Sequence, residues 1–392
     1  MEKQKFLREY QDIFNKPGQD VFFSPGRINV IGEHTDYNGG HVFPCAISIG
    51  TYGVYGPRKD TTVAIYSANS AKEENSKIIK FDINDDQPQP AADEKWVNYF
   101  KGMLVYLKAL GYKIDHGFNL YIHGFLPYGS GLSSSASIEM LMGKVLKDEF
   151  ALDIDDLELV KLGQKTENDF VGLNSGIMDQ FAVGMGKKDN AIYLDCNTLE
   201  YKYLPLELGN YEIVIMSTNK NHSLASSKYN ERVSECEEAV HRLDQKLNIN
   251  KLGEIDSDTF DQYTYLINDE TLIKRARHAV SENERTKKAI DAMQKGDLEE
   301  LGRLINASHI SLHYDYEVSG KELDTLAEAA WKQPGVLGAR MIGGGFAGSA
   351  IAIVKKSEAE NLKKNVGKIY RDVVGYDASF YDAEIVGGPH KL

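Results

Sequence analysis

Phe23-Ser-Pro-Gly-Arg-Ile-Asn-Val-Ile-Gly-Glu-His-Thr-Asp-Tyr37 packs one guanidinium, two carboxylates, an imidazole, a phenol and two glycines into a single short span. Val21, Phe22 and Phe23 before Arg27, with Ile28, Val30 and Ile31 after it, read as a strand. Gly32 breaks that strand, and Glu33, His34, Thr35 and Asp36 follow at once. Polar groups clustered just past a strand end can converge on a small ligand. Burying them without partners is costly, so a small polar ligand is the natural complement.

The rest of the chain sets the frame. At 392 residues it exceeds one ordinary core, so length alone implies two domains or three. A composition of 42% hydrophobic and 26% charged residues is that of a water-soluble globular protein. A formal charge of −13 argues against a nucleic-acid partner, because phosphate backbones select clustered Lys and Arg. Cys45, Cys196 and Cys236 lie far apart with no CxxC spacing, which suits a reducing compartment and not a structural zinc site. The charged start Met1-Glu-Lys-Gln-Lys-Phe-Leu-Arg has no apolar core of a secretory signal. No apolar run approaches the ~18 residues of a membrane span. A cytoplasmic protein without a membrane partner is expected.

Phe6, Leu7, Tyr10 and Phe14 predict an amphipathic helix over residues 1–15. Short strands follow through about residue 70, and Gly117–His123 reads as another. A helix carrying Met140, Leu141, Met142, Val145 and Leu146 comes next, then one over Asp155–Phe170 whose acidic start suits a helix N-terminus. After Cys196 the texture changes: a strand over Tyr211–Met216, charged helical sequence to about 310, and a helix over 320–332 stopped by Pro334-Gly335. The domain boundary is placed near residue 200, giving 1–200 and 201–392. Strands and helices without regular βαβ repetition indicate an α+β fold with mixed sheets.

The strand at 117–123 leads into Pro127-Tyr-Gly-Ser-Gly-Leu-Ser-Ser-Ser-Ala-Ser137 and a helix. This arrangement offers backbone N–H groups and a helix N-terminus to an anion, as phosphate sites do. It lacks the Gly-Lys-Ser/Thr of a Walker A loop; a plain Gly/Ser turn capping the helix is the other reading. Gly343-Gly-Gly-Phe-Ala-Gly348 matches GxGxxG, but Ser349–Val354 after it reads as a strand, whereas a dinucleotide fingerprint opens a helix. A tight supporting loop fits better. Glu167 lies inside a predicted helix, and Asp179 sits among apolar neighbours, where a carboxylate needs a cation or hydrogen-bond donors. Glu33, His34, Asp36 and His41 could ligate a metal, although their spacing matches neither HExxH nor CxxC.

Gly26-Arg-Ile-Asn-Val-Ile-Gly-Glu-His-Thr-Asp-Tyr37 resembles the signature of galactokinases. The 127–137 loop resembles the phosphate loop of the wider GHMP kinase family, and Gly338-Ala-Arg-Met-Ile-Gly-Gly-Gly-Phe-Ala-Gly348 its third motif. Gly176–Gln180 and Asp315–Ser319 add galactokinase-like texture, and the matches run in family order from about residue 20 to 354. The resemblance implies a two-domain GHMP kinase-like fold with ATP and sugar in the cleft between domains. It further implies transfer of the γ-phosphoryl group of ATP to O1 of α-D-galactose. Asp179 would be the catalytic base, with Arg27 stabilising the transition state. Glu33, His34, Thr35, Asp36, Asp179 and Tyr229 would bind the sugar. Ser67 and the loop Gly129, Ser130, Gly131, Leu132, Ser133, Ser134 and Ser135 would bind nucleotide, and Ser135 with Glu167 would ligate Mg²⁺. A monomer is expected.

Ile342, Ala347, Ser349 and Ser175 depart from the Thr, Gly, Cys and Cys common in galactokinases at these places. Two rivals remain at this level: a kinase for N-acetylgalactosamine, arabinose or galacturonate, and a catalytically silent sugar sensor on the same fold. Intact Arg27 and Asp179 argue against the sensor.

Overall fold

The computed structural model describes residues 2–69, 77–92, 94–127, 129–220 and 225–392; Tyr128 of the phosphate loop lies outside them. Helix α1 (Glu2–Phe14) is followed by strands β1 (Asp20–Asn29), β2 (His41–Val42), β3 (Pro44–Pro57), β4 (Thr62–Ser67) and β5 (Ile79–Asp82). Helix α2 (Asn98–Ala109), strand β6 (Phe118–Gly124) and helices α3 (Ser134–Glu149) and α4 (Asp156–Lys165) come next. A π-helical turn, Thr166–Val171, extends α4, and α5 (Met178–Gly184), β7 (Asn190–Asp195) and β8 (Tyr201–Pro205) follow. The remainder is β9 (Tyr211–Ser217), α6 (Ala225–Leu247), α7 (Ser257–Tyr263), α8 (Glu270–Gln294), α9 (Leu298–Tyr314) and α10 (Gly320–Trp331). It ends in the hairpin β10 (Val336–Ile342) and β11 (Ser349–Lys355), α11 (Ala359–Val374), β12 (Ser379–Asp382) and β13 (His390–Lys391).

These strands form sheets of order β13-β1-β3-β6-β4-β5, β10-β11-β9-β12 and β2-β7-β8. The first sheet is mixed, because β4 runs parallel to β6 while the other pairs are antiparallel. The expected α+β architecture with mixed sheets is thus the observed one.

Strand β1 is buried on both faces, which explains its near-continuous hydrophobic reading. Val21 and Val54 join Phe6 and Tyr10 of α1. Their neighbours Phe22 and Tyr55, one residue on, point the other way into a cluster with Leu141 of α3. A separate core forms around β9, β11, α8 and α10. A third cluster joins the two halves of the chain: Ile28, Val30, Ile31 and Phe43 pack with Ile213, Ile215, Ile305 and Ile351. The C-terminus also returns to the first sheet, where His390 and Lys391 pair with Phe23 and Phe22. The strand carrying Arg27 is therefore gripped from both ends of the sequence. Among the described residues no helix is long and apolar enough to cross a membrane.

Candidate active site

A cavity of about 320 Å³ opens where the end of β1, the loop before α3, the segment between α4 and α5, and the β10–β11 turn meet. Arg27 enters it from β1 at a bulge: the pairing of β1 with β3 shifts register between Pro25 and Gly26. A Cβ at Gly26 would lie 2.8 Å from the Leu132 carbonyl oxygen, so only glycine lets the 127–137 loop pack this closely. The Arg27 backbone N–H donates to that same oxygen at 3.2 Å.

The loop itself turns through left-handed conformations at Gly129 (φ 67°), Gly131 (φ 68°) and Ser133 (φ 60°). Ser133 is the N-cap of α3, yet its hydroxyl does not cap the helix. It donates instead to Asp179 Oδ2 at 2.5 Å. The first N–H groups of α3 are thus left without a side-chain cap, an arrangement that suits an anion. Gly129, Ser130, Gly131, Leu132, Ser133, Ser134 and Ser135 all line the cavity.

Asp179 stands in the first turn of α5. Arg27 donates to its Oδ1 through Nε at 2.9 Å and lies within 2.8 Å through Nη2. The third arm, Nη1, donates to the Gly131 carbonyl at 2.5 Å. One planar guanidinium therefore ties the carboxylate of α5 to the loop before α3.

Glu33, His34 and Asp36 reach the cavity from the loop after β1. Gly32 (φ 102°) turns the chain, and its N–H donates to Glu282 Oε1 of α8 at 3.0 Å. His278 Nε2, one helical turn earlier, donates to the Glu33 carbonyl at 3.1 Å, and Asn283 Oδ1 accepts from the His41 N–H at 2.9 Å. Burial alone would push the Glu282 carboxyl up, but Arg285, His278 and Arg340 together pull it down to about 2. The Glu33 carboxylate is almost fully enclosed and accepts from Asn29 Nδ2 and from the Gly343 N–H. Fully buried Arg340 lies 3.3 Å from it and also donates to the Asn29 carbonyl at 3.1 Å. Tyr229 of α6 closes this side, its ring 5.6 Å from that of His34.

Asp36 packs so tightly on Gly176 that a Cβ there would lie 2.0 Å from Oδ2. Burial and the nearby Asp179 charge push its carboxyl up to about 7, against the opposing pull of the Tyr37 and Met178 N–H groups. At neutral pH it is therefore poised between acid and carboxylate.

Two expected residues lie elsewhere. Thr35 is fully buried, and its hydroxyl is placed 2.8 Å from both the Gly32 and His41 carbonyls, so it braces the loop and does not line the cavity. Ser67 ends β4, outside the cavity lining. Of the four departures from the galactokinase pattern, Ser175 and Ala347 line the cavity, while Ile342 and Ser349 are buried at the ends of β10 and β11.

Glu167 lies on the π-helical turn, a distortion often found at functional sites. It is buried and hydrogen-bonded by the Ser135 and Ser175 side chains; burial pushes its carboxyl up and those bonds pull it part of the way back. Among the described residues no three His, Cys, Asp or Glu side chains converge as a metal cage. One hydroxyl and one carboxylate beside an anion loop nevertheless fit Mg²⁺, which takes few protein ligands and fills its octahedron with water and phosphate oxygens. Behind this pair stands Glu139 of α3, fully buried and bonded by Gln180 at 2.9 Å. Burial and the Glu167 charge push its carboxyl well above the usual range.

Comparison with known proteins places this geometry among relatives. Residues 8–57 match the galactokinase galactose-binding signature, residues 98–187 the GHMP kinases N terminal domain, and residues 289–372 the GHMP kinases C terminal domain. The chain is 88% identical over 392 residues to a galactokinase of Limosilactobacillus reuteri, covering 100% of both. It is 76% identical over the same length to one of Limosilactobacillus fermentum, again covering 100% of both. The crystal structure of Lactococcus lactis galactokinase complexed with galactose superposes with a TM-score of 0.96 at 54% identity, covering 100% of both chains. Methanococcus jannaschii mevalonate kinase shares the fold at a TM-score of 0.66 and 18% identity, covering 94% of this chain and 99% of its own.

Proposed function

The chain belongs to the galactokinase family of GHMP kinases, and on that premise we propose that it transfers the γ-phosphoryl group of ATP to O1 of α-D-galactose. The products are α-D-galactose 1-phosphate and ADP, the first kinase step of galactose catabolism (the Leloir pathway). The observation that carries the reading is the Arg27–Asp179 pair, which stands where the anion loop meets the 33–36 cluster.

In this reading Asp179 accepts the O1 proton as the hydroxyl attacks, and later releases it to solvent. Arg27 holds Asp179 in line and places positive charge where the transferring group builds negative charge. The free N–H groups at the start of α3, with Gly129–Ser135, cradle the phosphates. Glu33, His34 and Asp36 fix the sugar, Tyr229 covers it, and Ser67 contacts the nucleotide beyond the cavity. Thr35 serves the sugar only by holding the loop. Ser135 and Glu167 would hold Mg²⁺, which when bound neutralises triphosphate charge. We place the working cleft between units of residues 1–200 and 201–392. A cytoplasmic monomer is proposed as well; the free thiols of Cys45, Cys196 and Cys236 suit a reducing compartment.

A coupled ATP-consumption assay with galactose, N-acetylgalactosamine, arabinose, galacturonate and mevalonate in parallel tests the assignment. Turnover is expected with galactose; turnover with mevalonate but not galactose sinks it, and sugar binding without turnover identifies a sensor.

A pH dependence follows from Asp36. As an acceptor for sugar hydroxyls it must be ionised, so kcat/KM for galactose should fall about tenfold per pH unit below its value of about 7 and level off above it. The sign for stability is opposite. A carboxyl whose folded value is raised supports folding at low pH, and that support is lost as pH rises through about 7. Asp36→Asn should therefore lose the acidic limb and flatten the sugar-free melting temperature across that range. An unchanged limb in the variant assigns the titration to another group.

A further inference from the structure

His34 stands apart from its neighbours in the cavity, because Glu33, Asp36 and Asp179 are carboxyl groups and His34 is an imidazole. Its backbone is held left-handed (φ 62°), and Asn38 Nδ2 donates to its carbonyl at 2.7 Å. Ring atom Nδ1 lies 2.9 Å from Tyr37 Oη. Tyr37 Oη lies 2.7 Å from Tyr316 Oη, which lies 3.1 Å from Cys236 Sγ. Tyr316 is fully buried, Cys236 almost so, and the Tyr316 ring packs 4.8 Å from that of His34. The other ring nitrogen, Nε2, is buried without a hydrogen bond of good geometry among the described residues, and the backbone acceptor near the ring is that of Gly344 in the cavity wall.

Counting protons favours one direction for this chain, with the Asn38 side chain as a further neighbour of both Cys236 and Tyr316. Each phenol and the thiol carry one. Were Nδ1 the donor, Tyr37 would donate to Tyr316, and the Tyr316 proton would fall on sulfur, a weak acceptor. The thiol hydrogen would then have no place in the chain. In the opposite direction Cys236 donates to Tyr316, Tyr316 to Tyr37, and Tyr37 to Nδ1, so that both phenol oxygens give and receive. Burial pushes the Cys236 thiol up to about 11, so it keeps its proton at neutral pH. Burial also pushes His34 well below the usual imidazole range, so the ring is neutral and carries one hydrogen.

We propose that the Cys236–Tyr316–Tyr37 chain locks His34 in the Nε2–H tautomer, making it the hydrogen-bond donor that reads a sugar hydroxyl oxygen among carboxyl groups that read hydroxyl hydrogens. Tyr37, Tyr316 and Cys236 are then positioning residues for sugar recognition. The proposal rests on the reading above that the 33–36 cluster binds the sugar. A hydroxyl presents one hydrogen and two lone pairs, so a site of carboxylates alone would leave its oxygen unread.

The test is two-bond ¹H–¹⁵N correlation of histidine-labelled full-length protein, with His34 assigned by difference from His34→Gln. The wild type should show His34 as Nε2–H, with its signals shifting when galactose is added. Tyr37→Phe should give a mixture of tautomers. It should also raise the galactose KM about tenfold, the worth of one good hydrogen bond, with kcat and the ATP KM within about twofold. Cys236→Ser, which keeps a donor, should behave as wild type, whereas Cys236→Ala should loosen the tautomer. A wild-type spectrum with the proton on Nδ1 overturns the proposal, whether or not the variants fold. An Nε2–H tautomer that Tyr37→Phe leaves unchanged also overturns it. Signals of His34 that ignore galactose while the tautomer still depends on Tyr37 reject the sugar-facing reading and leave the relay standing.

Discussion

Asp179→Ala is expected to lower kcat with galactose by about 10³-fold or more while ATP affinity stays within about twofold. A positioned general base contributes roughly 10²–10⁴-fold, and Asp179 is the carboxylate that touches both the anion loop and its guanidinium. Alanine also leaves Arg27 without its partner, so part of the loss could come from a relaxed loop. Asp179→Asn separates the two effects, because it keeps the shape and removes the acceptor charge. Both variants should lose kcat alike, with melting temperatures measured alongside. Activity within about tenfold of wild type, roughly 1.4 kcal/mol of barrier, would show that Asp179 is not the base.

Arg27→Lys should cost about 10²-fold in kcat, the usual price of removing one preorganised donor at a transition state. The substitution keeps the positive charge. It cannot keep the geometry, because Arg27 contacts Asp179 through Nε and Nη2 and the Gly131 carbonyl through Nη1 at once. A lysine ammonium is a point donor on a flexible stem and can hold one of these partners well. The loss should appear mainly in kcat, because the loop at 33–36 is anchored separately by α8. Full activity in the lysine variant would mean that charge alone matters and that the clamp on Gly131 is incidental.

Much of this site is legible in the sequence because a strand followed at once by a loop keeps Arg27, Glu33, His34 and Asp36 close along the chain. Gly26 and Gly32 are equally readable, since each marks a place where the backbone must turn or be approached closely. The discounting of Gly343–Gly348 as a dinucleotide fingerprint also rests on local pattern, and β11 indeed follows it as a strand. Its glycines are needed for packing: a Cβ at Gly343 would lie 2.9 Å from the Gly131 carbonyl, and one at Gly345 only 2.3 Å from that of Val318.

What the sequence hides is long-range pairing. The segment of helix α8 reads only as charged and helical, yet His278, Glu282 and Asn283 are buried and grip the 32–41 loop. Arg340 falls inside the third motif with no role assigned to it there, but it is the buried cation beside Glu33. Tyr316 and Cys236 give no local signal of reaching His34 through Tyr37. Thr35 shows the converse: its place inside the motif suggests a ligand contact, while its hydroxyl serves two backbone carbonyls. Motif position reports which residues are near a site, and only the fold decides which way they face.

The most direct measurement is the position of the new phosphate. Incubation of the protein with ATP, Mg²⁺ and [1-¹³C]galactose, followed by ¹³C and ³¹P NMR, should give one product whose C1 signal is split by phosphorus in the α configuration. That result identifies O1 as the hydroxyl that attacks the γ-phosphoryl group. Phosphorus coupling at any other carbon, or ATP hydrolysis without a sugar phosphate, would contradict the account.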